Sequence, residues 1–150
     1  MGLLKAIQTS LLRPQHEKLL SELGAKKGPI ISWIKSFPLY IEDKDFLAVH
    51  AGVPPNQPLN KTPASILTQI RTWDGQGMDL NNEKDPPWFE FYQGTKPIVF
   101  GHWAKRGLIV RPNAYGLDTG CVYGKKLTAL ILPHFELVHV KAKKVYKDID

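Results

Sequence analysis

The sequence holds a single cysteine in 150 residues, which excludes an internal disulfide framework and a thiolate-rich zinc module. It has no run of about 18 apolar residues, so no membrane-spanning helix is expected. No internal repeat is present, which sets aside solenoids and propellers. The opening stretch, Met1 to Ser10, is partly apolar, but it carries Lys5 and Gln8 and lacks a small-residue cleavage site. It reads as an amphipathic helix rather than a signal peptide, and points to a cytoplasmic protein with no membrane partner.

What remains is the composition of a globular chain, with 43% hydrophobic and 23% charged residues. The length suits one domain or half of a larger one. Twenty basic residues against 14 acidic ones leave a net charge of +6. That charge fits anionic partners such as phosphates, polyanions or nucleic acid without choosing among them.

The first third has helical spacing. Leu3, Leu4, Ile7, Leu11 and Leu12 form one such run, and Pro14 to Leu23 a second, which Gly24 ends. Ile30 to Phe37 suggests a third, closed by Pro38. The pattern then shifts to short apolar runs of strand length, Phe46 to His50 and Pro97 to Phe100. Three more strands are expected at Ala114 to Cys121, Leu127 to Leu132 and Leu137 to Ala142, with Gly124-Lys-Lys126 as a hairpin turn between the first two. Between these groups, Pro63 to Trp73 reads as a helix and Asp74 to Pro87 as a polar loop. Residues 143–150 read as a charged, solvated tail. The expected class is α/β or α+β with mixed strands.

One feature occurs twice. Two apolar strands each end in a histidine beside glycine, as Phe46-Leu-Ala-Val-His50-Ala-Gly52 and as Ile98-Val-Phe-Gly101-His102. A buried strand that stops at a loop brings its last side chain to the sheet rim, where sites gather in α/β proteins. Glycine there permits a sharp turn and a close ligand. An imidazole at such a rim can bind a metal through one nitrogen while an acceptor fixes the other. Each histidine could equally be an ordinary half-buried side chain, and two ligands do not close a metal site. His16, His134 and His139 read as surface residues.

Three ordered blocks resemble calcineurin-like metallophosphoesterases: Phe46-Leu-Ala-Val-His50-Ala-Gly-Val-Pro54, Ile98-Val-Phe-Gly-His102-Trp-Ala104, and Gly116-Leu-Asp-Thr-Gly-Cys-Val-Tyr-Gly-Lys-Lys-Leu-Thr-Ala-Leu130. Within that family they look like the bacterial branch related to symmetric diadenosine tetraphosphate hydrolases and serine/threonine phosphoprotein phosphatases. The resemblance implies a sandwich of two mixed sheets flanked by helices, and hydrolysis of a phosphate-ester substrate by two divalent metals, manganese, iron or zinc. It implies His50 and His102 as ligands of one of these metals, Arg71 as the grip on the substrate phosphate, and Asp118 as a positioning group.

The resemblance also shows what is missing. The blocks Asp-x-His, Gly-Asp-x-x-Asp-Arg-Gly and Gly-Asn-His, which supply most of the metal ligands in that family, do not occur in this sequence. Residues 1–142 therefore read as the C-terminal half of such a domain. Two neutral imidazoles bring no negative charge to a divalent cation, so the chain alone is expected to bind metal weakly and to lack phosphatase activity. It is also expected to need the absent half, or self-association, to cover an exposed sheet face.

Other motifs fail. Gly120-Cys-Val-Tyr-Gly124-Lys-Lys126 is too short for a P-loop and has lysine where a magnesium-binding hydroxyl belongs. Cys121 lacks the arginine a thiol phosphatase loop needs, and reads as a buried strand thiol. The rival function is a basic module that binds nucleic acid or another polyanion. Its pairs, Lys26-Lys27, Lys105-Arg106, Lys125-Lys126 and Lys143-Lys144, are scattered and lack interleaved aromatics. Lys105, Arg106, Lys125 and Lys126 could instead serve a polyphosphate substrate.

Overall fold

The computed structural model describes residues 14–148, so the helical reading of Met1 to Leu12 lies outside the described residues. The chain divides into two compact units, 1–38 and 39–150. In the first, α1 spans Pro14–Leu23 and stops where Gly24 takes a positive φ of 48°. A single 3₁₀ turn leads into α2, Lys27–Lys35. Gly28-Pro29 opens this helix rather than interrupting it, because a proline in the first turn has no N–H that the helix needs. Trp33 and Phe37, one turn apart, meet edge to face at 4.6 Å.

The second unit is built on a five-stranded mixed sheet. Its strands are β1 (Tyr40–Glu42), β2 (Leu47–Val49), β3 (Ile98–Phe100), β4 (Ile109–Arg111) and β5 (Ala114–Gly116), in the order β1-β2-β3-β5-β4. The three central strands run parallel, and the edge strands β1 and β4 are antiparallel. A separate antiparallel hairpin pairs β6 (Lys126–Ile131) with β7 (Glu136–Lys141). The α/β class and the mixed sheet agree with the sequence reading.

Alternation decides the faces. Leu47, Val49, Ile98, Phe100 and Ala114 point to one side and are buried there with Leu67, Ile70, Trp88 and Phe89. On the other side one row crosses all five strands in register: Ile41, Ala48, Val99, Tyr115 and Val110. This row is apolar too, as expected of parallel strands that have both faces covered. Phe135, in the β6–β7 turn, lies 5.3 Å from Tyr115. The ends of the row stay open, with Ile41 57% and Val110 52% exposed.

Several local expectations change. The helix expected over Pro63 to Trp73 is only α3, Ala64–Leu67. Beyond it the chain extends: the amides of Arg71 and Thr72 both donate to the Leu80 carbonyl, and Trp73 N–H donates to Pro86. Tertiary pairing with the following loop overrides the helical pattern. The strand expected over Ala114 to Cys121 ends at Gly116. Cys121 opens a 3₁₀ turn and is half-buried, not a core strand thiol. Gly124-Lys-Lys126 joins two different sheets, and the hairpin instead turns between β6 and β7. In the charged tail, the amides of Tyr146 and Lys147 donate to the Val122 carbonyl, so this segment is docked. No helix among the described residues is long and apolar enough to cross a membrane.

Candidate functional site

Because β2, β3 and β5 are parallel, their C-terminal ends share one rim. The residues just past those ends are His50, Gly101-His102 and Leu117-Asp118. Gly101 N–H donates to the His50 carbonyl at 2.9 Å and ties the first two ends together. The His50 and His102 rings meet with centroids 5.2 Å apart at 61°. With Asp118, Cys121 and Lys126 they line a shallow pocket of about 370 Å³. Larger pockets lie at the opposite, N-terminal end of these strands, lined by Leu47 and Lys96 or by Asn113 and Ala114. They hold no histidine.

Both His102 and Asp118 sit at the centre of a three-residue turn. Trp103 N–H donates to the Gly101 carbonyl at 2.8 Å across His102, and Thr119 N–H to the Leu117 carbonyl at 2.9 Å across Asp118. At His102 φ is 70°, which makes this the rare, strained form of γ-turn. A non-glycine residue in that region marks a position held by its surroundings. Asp118 Oδ1 accepts from Gly120 N–H at 3.2 Å, which orients the carboxylate.

Burial, then the neighbouring His50 and Arg71, hold the His102 imidazole below its ordinary pKa, while Asp118 and a hydrogen bond to the Gln69 backbone act the other way. That direction favours the neutral form of the ring. That is the state a metal-binding imidazole needs. The donor set is nonetheless short. Among the described residues no group of three or more His, Cys, Asp or Glu side chains gathers where it could hold a metal ion. Two imidazoles do not fit a closed divalent site.

Arg71 approaches from the other side. It lines a second pocket of about 290 Å³ with His102, Glu83, Lys105, Lys125 and Lys147, so His102 borders both pockets. Its backbone is pinned by its N–H to Leu80 and by Trp88 N–H donating to its carbonyl. Its Nε is buried and has no partner. A buried unpaired donor is costly unless a ligand uses it.

The structure divides the basic residues expected to act together. Lys105 and Lys125 border Arg71. Arg106 stacks 4.7 Å over the Trp103 ring, and Lys126 lies in the histidine pocket with its ammonium 3.0 Å from His139 Nε2. Sequence reading missed Glu83, which lies in the polar loop without a motif. It also missed the role of Gly52, which the sequence offered only as a flexible neighbour of His50. A Cβ on Gly52 would lie well under 3.0 Å from the indole of Trp88. The glycine makes room for the largest fully buried side chain of the core.

Comparison with known proteins gives the same direction. No family model matches. A symmetrical bis(5'-nucleosyl)-tetraphosphatase of Ralstonia nicotianae is 33% identical over 67% of this chain and 54% of its own length. The protein of that name from a Janthinobacterium species is 27% identical over 96% of this chain and 73% of its own length. That of Bordetella pertussis is 48% identical over 53% of this chain and 33% of its own length. The chain thus spans about half the length of the Ralstonia relative. A crystal structure described as that of a diadenosine tetraphosphatase superposes with a TM-score of 0.76 at 26% identity, covering 93% of this chain and 64% of the other. This chain is similar in sequence to proteins named symmetrical bis(5'-nucleosyl)-tetraphosphatases and in fold to a diadenosine tetraphosphatase structure.

Proposed function

We propose that this chain carries the phosphate-gripping arginine and two metal-binding imidazoles of a hydrolase that acts on dinucleoside polyphosphates. The observation that carries this reading is the convergence of His50, His102 and Asp118 on one rim, with Arg71 reaching the same His102 from the adjoining pocket. Arg71 offers a planar fork of donors to a phosphate, with one donor already buried and unpaired. Asp118, on the same rim as His102, is the positioning group of this reading. In this family reading, divalent metals would neutralise phosphate charge and supply a nucleophilic water. The acidic blocks that would complete their ligand set do not occur in these 150 residues. The chain by itself is therefore expected to bind the ion weakly and to lack phosphatase activity, since two neutral imidazoles bring no negative charge to a divalent cation.

Nuclear magnetic resonance with manganese tests the site directly. The imidazole signals of His50 and His102 should broaden at lower Mn²⁺ than those of His16, His134 and His139. Uniform broadening of all five would refute the metal assignment. A manganese-dependent turnover of diadenosine tetraphosphate at full enzymatic speed would refute the expected inactivity.

The reading extends to the open sheet face. The row from Ile41 to Val110 is proposed to meet another polypeptide surface, whether more of the same protein or a second copy. Sedimentation of the purified chain should show self-association that Ile41→Lys with Val110→Lys reduces, because edge lysines oppose strand and face pairing. A monodisperse monomer at high concentration would argue against it.

A further inference from the structure

The Arg71 pocket holds more positive charge than one phosphate needs, and it holds one negative group. Arg71, Lys105, Lys125 and Lys147 line it together with Glu83. Both oxygens of the Glu83 carboxylate accept from Lys105 Nζ, at 2.9 and 3.0 Å. Glu83 is carried by the loop between Trp73 and Trp88, which is stiffly built. The Asp74 carboxylate accepts from the amides of Gln76, Gly77, Met78 and Asp79, which lowers its pKa to about 2. Farther along, the Asn82 side chain accepts from Lys84 N–H, and the Leu80 and Pro86 carbonyls accept from the amides of the Arg71–Trp73 segment. The loop therefore presents Glu83 to the basic pocket in a set position.

We propose that this pocket is a subsite for a further phosphate of a polyphosphate chain, and that Glu83 is its built-in competitor, holding Lys105 until the substrate's anion displaces it. The proposal rests on the reading of Arg71 as a phosphate grip and names a specificity-determining residue for it. Displacement is easy on physical grounds. The Glu83 and Lys105 side chains are 62% and 70% exposed, and an ion pair this open contributes little to stability. A monoanion such as Glu83 loses to a chain carrying several charges, whereas a lone phosphate gains less from evicting it. Specificity for polyanions over single phosphates follows. The Lys105 bond and then the Lys105 charge, with Arg71 and Arg106 farther off, keep the Glu83 carboxyl below the usual range, so the competitor is charged at neutral pH.

Titration calorimetry of the whole chain with inorganic phosphate and with inorganic tripolyphosphate, at fixed ionic strength, tests this. Glu83→Gln should tighten tripolyphosphate by roughly two- to fivefold, the size of one exposed ion pair, and change phosphate less. Lys125→Ala should weaken tripolyphosphate more than phosphate. Glu136→Gln adds the same net charge on β7 and should do neither. The proposal fails if Glu83→Gln leaves tripolyphosphate unchanged, or if Glu136→Gln has an equal effect. Separately, if Arg71→Ala spares phosphate binding while Glu83→Gln still tightens tripolyphosphate, the Arg71 reading falls and the role of Glu83 stands.

Discussion

Gly52→Ala is expected to destabilise the second unit by about 3 kcal/mol, a large share of what a domain of this size has to lose. The cost does not come from backbone freedom, since φ at Gly52 is not among the positive values in this chain. It comes from the indole of Trp88, which lies directly on the glycine. Trp88 is 1% exposed and packs edge to face on Phe100 at 4.9 Å and on Phe89 at 5.9 Å, so it cannot step aside. A new methyl must push either the core or the strand end that carries His50. Trp88→Ala should cost about 3–5 kcal/mol for the opposite reason, an unfilled cavity. The pair is coupled: Gly52→Ala added to Trp88→Phe should cost clearly less than the two separately, because the smaller ring leaves room. Urea unfolding of the four proteins closes the cycle. Additive losses would mean that the methyl and the ring do not meet.

His102→Ala is expected to abolish the selective response of His50 to Mn²⁺, with a loss of affinity of at least roughly tenfold, since even partners that only orient a ligand matter that much. The backbone supplies a second readout independent of metal. At φ 70° an alanine is strained and a glycine is not. His102→Gly should therefore be more stable than His102→Ala by about 1 kcal/mol, while both lose metal response equally. If alanine proves the more stable, the turn at His102 is not the strained one. If His50 still responds to Mn²⁺ in both variants, the two rings do not act as a pair.

Two features of the candidate site were legible in the residues. Apolar strand, then histidine beside glycine, is a local pattern, and Phe46 to Gly52 and Ile98 to His102 both form the expected strand ends. That the rings would meet was expected only from the family resemblance; the local pattern does not set the two strands side by side, and the parallel pairing of β2 with β3 does. Arg71 was read as lying within a helix over Pro63 to Trp73, and only the family resemblance gave it a role; its place in an extended segment was not legible. Its conformation depends on Leu80 and Pro86, and pattern-reading of Pro63 to Trp73 has no access to that loop. The short strands Tyr40–Glu42 and Ile109–Arg111 escaped because three-residue edge strands have too few alternations to register.

The sequence by itself determined the composition of the chemistry. It supplies five histidines, two of them closing apolar runs of strand length beside glycine, four arginines and sixteen lysines, and it lacks the blocks Asp-x-His, Gly-Asp-x-x-Asp-Arg-Gly and Gly-Asn-His. Such facts are properties of a list of residues and need no coordinates. Tertiary structure alone decided which of these groups share a pocket. It separated Lys105 and Lys125 from Arg106 and Lys126, brought Glu83 onto Lys105 from 22 positions away, and laid Trp88 on Gly52. These contacts join segments that local patterning treats as unrelated, and only the closing of the sheet and its loops brings them within bonding distance.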